Sequence, residues 1–179
     1  METIYLTGYH GVGKTIIGKL LASRKDLKYL DTELDIEEQE KSSTEEIKNK
    51  KGIDQYNSLE KYILKYKINQ GMIVSLSSEI PKDEENRHLI KTSGRVIYLR
   101  AKPDTIFSNI SNDLTKKSRL NSNLSVLTIE KELNELKPYY EELTNYAIDI
   151  DNKKLSDVFK EALAIYNYVN KVKCHIFIK

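Results

Sequence analysis

Five short apolar runs recur along the chain, separated by amphipathic or polar stretches. Glu2-Thr3-Ile4-Tyr5-Leu6-Thr7 alternates and is rich in β-formers, which predicts a first strand. Residues 28–31, 72–76, 95–99 and 146–150 predict four more. Between them apolar residues return at helical spacing. Ile16, Ile17, Leu20 and Leu21 mark one helix, and Tyr56, Leu59, Ile63 and Tyr66 mark another. Pro103 opens a helix that ends near Asn112, and Leu155, Val158, Phe159, Ala162, Tyr166 and Val169 make an amphipathic last one. Residues 32–51 are polar and predict short helices. Thr128 is the expected cap of a helix that Pro138 would kink or break. Alternating β and α elements predict an α/β fold: three layers, with a five-stranded parallel sheet and helices on both faces. Such sheets bind ligands beyond the carboxyl ends of their strands, so the loops after Thr7, Asp31, Leu76 and Leu99 are expected to converge.

The loop after the first strand carries the chemistry. Gly8-Tyr9-His10-Gly11-Val12-Gly13-Lys14-Thr15 spells G-x-x-x-x-G-K-T between a strand and a helix. Glycines there let backbone N–H groups turn inward around phosphate oxygens, and the helix adds its positive end. The expected nucleotide contacts are Gly8, Gly11, Val12, Gly13, Lys14, Thr15 and Ile16. Lys14 reaches phosphates, and the Thr15 hydroxyl binds Mg²⁺. ATP and Mg²⁺ are the implied cofactors.

Composition narrows the setting. The chain has 179 residues, 31% of them charged, and a formal charge of +2, which gives no reason to invoke nucleic acid or membrane. A single cysteine, Cys174, permits no internal disulfide and fits a cytoplasmic location. No run is apolar enough to span a bilayer, and the immediate first strand leaves no room for a signal peptide. Residues 1–170 read as one domain, expected to be monomeric, with a tail at 171–179 that frays or adds an edge strand. A GTPase would need D-x-x-G and N-K-x-D motifs, and neither is present. A nucleoside monophosphate kinase needs arginine forks for a second phosphate, yet no arginine lies between Lys25 and Asn86.

Further segments resemble the shikimate kinase family. Leu30-Asp31-Thr32-Glu33 is similar to its D-[TS]-D, and residues 52–60 to its G-E-x-x-F-R-x-x-E. Val74-Ser75-Leu76-Ser77-Ser78-Glu79 falls where the family has a strand followed by G-G-G. Lys117-Ser118-Arg119-Leu120 resembles its lid R-P-L, and Pro138-Tyr139-Tyr140-Glu141-Glu142 its P-L-Y-x-E. The resemblance implies a P-loop kinase that phosphorylates a small hydroxyl acceptor, with an acceptor segment at about 32–60 and a mobile lid at about 113–126. It implies Glu33 as base, Asp31 as a magnesium and positioning ligand, and Arg119 as the lid arginine on ATP. Asn57, with Glu60 on the same helix face, and Ser77 and Ser78 fall on the acceptor side.

Departures fall on that same side. The two arginines with which the family grips the shikimate carboxylate are Asn57 and Leu136 here. Each lost charge-assisted hydrogen bond is worth about 1.5–3 kcal/mol, and Glu79 adds a repelling charge. Plainer roles stand beside these. Asp31 also suits a helix N-cap, Glu33 a solvated acid, and Asn57 with Glu60 a surface pair. His10 reads as an exposed loop residue, and Lys116 and Lys117 as a solvated run. A nucleotide-binding regulatory protein without kinase activity is the competing class.

Overall fold

The computed structural model describes residues 1–112 and 124–176, with side chains described to residue 171. The elements run β1 (Thr3–Thr7), α1 (Lys14–Lys25), β2 (Tyr29–Asp31), α2 (Thr32–Glu40), α3 (Thr44–Lys51), α4 (Ile53–Tyr66) and β3 (Ile73–Ser75). A 3₁₀ turn (Ile80–Lys82) follows, then α5 (Glu84–Ser93), β4 (Gly94–Arg100) and α6 (Pro103–Asn112). The chain continues with α7 (Val126–Leu143), β5 (Tyr146–Asp149) and α8 (Leu155–Ile176). The expected lid lies largely outside the described residues, and Arg119, Lys116 and Lys117 lie wholly outside them.

All neighbouring strands are parallel, in the order β2-β3-β1-β4-β5. The register aligns Asp31 with Ser75 and Ser75 with Leu6, so the ends of three strands meet at one level. Strand alternation sorts the core. Ile4, Leu6, Ile73, Ile97 and Leu99 face a cluster completed by α1, α6, α7 and α8. Tyr5, Val74 and Val96 face the opposite side, against Leu64 of α4 and Ile90 of α5. A third, smaller cluster of Ile36, Ile47, Tyr56 and Ile63 ties α2, α3 and α4 together.

Two expected helix limits change. Ser125, not Thr128, caps α7: the Thr128 amide donates to Ser125 Oγ at 3.1 Å. Pro138 does not break that helix, which is continuous through it. The proline removes one helical donor, and Asn134, which would accept it, is exposed to water. At the other end α8 continues to Ile176, so residues 171–176 are helical rather than a frayed or strand-like tail. Among the described residues no helix is long and apolar enough to cross a membrane.

Candidate active site

The turn from β1 into α1 is held in an unusual backbone conformation. Gly8, Gly11 and Gly13 have φ of 137°, 81° and 90°. A Cβ on Gly8 would strike the Leu99 carbonyl oxygen, and one on Gly11 would lie 2.7 Å from Ile110. At Gly13 a Cβ would meet nothing within 4 Å and would project into the open mouth of the loop. Asn109 braces the loop from α6 by donating to the Gly11 carbonyl at 3.0 Å. Lys14 Nζ lies across it, donating to the carbonyls of Gly8 at 2.7 Å and Tyr9 at 2.9 Å. Glycines at positive φ, a helix N-terminus and a lysine folded over the loop fit an anion cradle.

Beside it, Thr15 Oγ1 donates to Asp31 Oδ2 at 2.8 Å. The two residues read as metal ligands are thereby in contact. Asp31 also has its plainer role, because its Oδ1 accepts from the Leu34 amide at the start of α2. Tyr29 fixes the same carboxylate, donating to Asp31 Oδ2 at 3.1 Å while its hydroxyl oxygen accepts from Ser75 Oγ at 2.9 Å. Residues 29 and 31 share a face of β2, so alternation carried a signal for this partner. Among the described residues no group of three or more His, Cys, Asp or Glu could cage a metal.

Glu33 projects from the first turn of α2 toward the phosphate loop, with its Oε2 3.9 Å from His10 Nδ1. His10 is partly buried rather than an exposed loop residue. Its burial and the nearby Lys14 ammonium hold its pKa below the ordinary histidine range. Glu60 is 2% exposed, which excludes the surface-pair reading. It accepts a hydrogen bond from Ser77 Oγ. Burial raises its pKa to about 7, while the Ser77 bond and Lys48 pull the other way. Ser77 is anchored in turn, its amide donating to Thr32 Oγ1 at 2.8 Å. Asn57 is half-buried on the same helix as Glu60.

Lys48 joins this cluster from α3. It bonds Glu79 and stands 4.7 Å from the centre of the Tyr56 ring, while Lys82 reaches Glu79 from the other side at 3.3 Å. No local pattern singles out Lys48, because its helix is polar almost throughout and only the fold brings it here. Two cavities open on the site. One of about 890 Å³ runs beside the loop, lined by Gly11, Val12, Gly13 and Ile16 with α6 and the turn after β5. The other, of about 80 Å³, lies between Tyr9, Ser78 and α7.

A phosphate-cradling turn at the carboxyl end of a parallel sheet, with a Thr–Asp pair beside it, defines a P-loop nucleotide-binding protein. Residues 10–167 match the family model "Shikimate kinase". A shikimate kinase of Bacillus cereus (strain AH187) is 30% identical over 161 residues, covering 90% of this chain and 96% of that protein. The fold is also that of a solved shikimate kinase from Bacteroides thetaiotaomicron, with a TM-score of 0.84 at 20% identity, over 95% of this chain and 98% of that one. A second solved structure, shikimate kinase from Acinetobacter baumannii in complex with shikimate, gives 0.79 at 21% identity, over 100% and 96%. The chain belongs to the shikimate kinase family, and with it to the ATP-dependent small-molecule kinases.

Proposed function

We propose that this kinase transfers the γ-phosphoryl group of ATP, with Mg²⁺, to a hydroxyl of a small metabolite. The observation that carries the reading is the Thr15–Asp31 contact at 2.8 Å, set beside a loop that Lys14 spans. ATP bound with Mg²⁺ would supply the phosphoryl group and shield its charge. Lys14 and the loop amides of residues 11–16 hold phosphate charge. Thr15 and Asp31 hold the cation, Asp31 already aligned by Tyr29 and by the helix it caps. Ile16 and the larger cavity receive the nucleoside, and Arg119 contacts ATP from the lid.

On the other side, Glu33 takes the proton of the attacking hydroxyl. The lowered pKa of His10 keeps that imidazole neutral near pH 7, so it does not neutralise the base. Asn57, Ser77 and Ser78 line the acceptor side. Asn57 and Leu136 supply no guanidinium there, and Leu136 is committed to the main core at 4% exposure. These features weigh against the carboxylate grip on shikimate and leave the acceptor's identity to experiment.

The test is ADP release by the full chain with ATP and Mg²⁺ against shikimate, polyols and sugar acids, with Lys14→Ala as blank. Acceptor-dependent release that the substitution abolishes supports transfer. Nucleotide binding without release on any acceptor supports a regulatory role in its place.

A further inference from the structure

With Asn57 and Leu136 uncharged, Lys48 is the cation nearest the face of α4 that carries Asn57 and Glu60. It follows Ile47, which is buried with Tyr56 in the small cluster that joins α3 to α4. The Lys48 side chain is 24% exposed, and its ammonium stands 4.7 Å from the centre of the Tyr56 ring. Tyr56 is buried and directly precedes Asn57. The ring face attracts the ammonium and helps to fix its place. The same charge pulls the Glu60 pKa down against burial and lowers that of His10, so it is within electrostatic reach of both α4 and the phosphate loop.

The charges around Lys48 do not cancel. Lys48 and Lys82 both hold one carboxylate, that of Glu79, each through a different oxygen. Two ammonium groups on one carboxylate leave one positive charge over. Glu60, the other acid beside Lys48, is buried, accepts from Ser77 Oγ and is protonated in part near pH 7. Glu33, the remaining acid of the cluster, lies against His10 of the phosphate loop. Lys48 also keeps hydrogen-bonding capacity. An ammonium has three N–H donors, and among the described residues Lys48 spends one, on Glu79.

We infer that Lys48 is the specificity-determining residue of the acceptor side, its ammonium taking the carboxylate of a hydroxy-acid acceptor. The inference rests on the kinase reading for the acceptor's hydroxyl but not for its charge. Lys82 keeps Glu79, so the incoming carboxylate shares Lys48 with it and the four charges alternate in sign. The charge that recognises the acceptor thereby stands on α3 and not on α4. An ammonium is a point charge without the planar fork of a guanidinium, so this grip is less directional than an arginine pair would give. An uncharged acceptor in the same place would leave the extra positive charge uncompensated.

Two acids with uncharged partners isolate the contact: shikimate with its methyl ester, and gluconate with glucitol. Their affinities for the full chain with Mg²⁺ and ADP are measured by calorimetry. At least one acid should bind roughly tenfold or more tighter than its partner. Lys48→Met keeps much of the side chain and loses the charge, so it should bring the two within about threefold, and Lys48→Arg should restore most of the preference. Glu79→Gln releases Lys48 from its present partner and should tighten the acid about threefold or more, with the uncharged partner unmoved. A role confined to packing α3 would move acid and partner together. Neither acid preferred, no acid bound, a preference that Lys48→Met leaves intact, or a weaker acid in Glu79→Gln overturns the inference. Lys48-dependent acid binding without phosphoryl transfer would uphold the inference and sink the kinase reading. Transfer to shikimate that Lys48→Met leaves unchanged would do the reverse.

Discussion

Replacing Glu60 with glutamine should stabilise this protein at alkaline pH and leave it almost unchanged in acid. Glu60 is 2% exposed, and burial raises its pKa from 4.5 to about 7. In the unfolded chain the carboxyl ionises near its ordinary value, so between pH 4.5 and 7 the unfolded state loses a proton that the folded state keeps. The raised folded pKa is therefore a penalty that is absent below about pH 4.5, grows with pH and is complete above about pH 7. Each pKa unit corresponds to about 1.4 kcal/mol, so the penalty is slightly above 3 kcal/mol at pH 8, about 3 in round figures, and below about 1 kcal/mol at pH 5. Surface screening does not discount it, because the group is buried. Ser77 Oγ and Lys48 already reduce the shift, while Glu33 and Glu79 add to it. Glutamine keeps an oxygen for the Ser77 hydroxyl and carries no charge. Thermal unfolding of both proteins from pH 5 to 8 is the assay. In a chain of this size about 3 kcal/mol is roughly 6–12 °C in Tm. Equal Tm differences at pH 5 and pH 8, or a less stable variant at pH 8, would refute the reasoning.

The other predictions concern the two halves of the site and their support. Thr15→Ala and Asp31→Ala should each weaken Mg²⁺-dependent ATP binding about tenfold or more, with much smaller effects in EDTA; equal losses in both conditions would count against a metal role. Tyr29→Phe keeps the ring and removes the hydroxyl bonded to Asp31, so Mg²⁺ affinity should fall by a few-fold without a comparable change in metal-free ATP binding. Gly8→Ala must place a Cβ against the Leu99 carbonyl at φ 137°, and should cost about 2 kcal/mol or more in urea unfolding. Tyr140→Phe frees the Ser78 carbonyl and should cost about 1–3 kcal/mol in the same measurement.

The phosphate loop and the sheet were legible because each has a short-range signature. Gly8, Gly11 and Gly13 stand where positive φ is needed, and the alternation of residues 3–7 survives as two differently facing cores. Glu60 was open to two readings, a place in the acceptor cleft or an exposed surface pair, and its burial excludes the second although the position was readable. It sits between Tyr56 and Ile63 at helical spacing, on the stripe that becomes buried. Ser125 and Thr128 are both hydroxyl residues within one turn of each other, and only the Thr128 amide bond to Ser125 shows which one caps α7. The acceptor side was the least legible part. Lys48 pairs with Glu79, which Lys82 also holds, and Glu132 with Tyr9, across separated segments, and these contacts depend on how α3 and α7 pack around the end of β3. Charge complementarity of that kind has no period in the sequence.

Mass spectrometry of the acceptors after incubation with the full chain, ATP and Mg²⁺ tests the central claim most directly. At least one hydroxyl-bearing acceptor should gain a phosphoryl group in step with ADP, and Lys14→Ala should abolish both products. ADP formed with no phosphorylated acceptor would mean that water takes the phosphoryl group, and an unaltered panel with no ADP would contradict kinase activity itself.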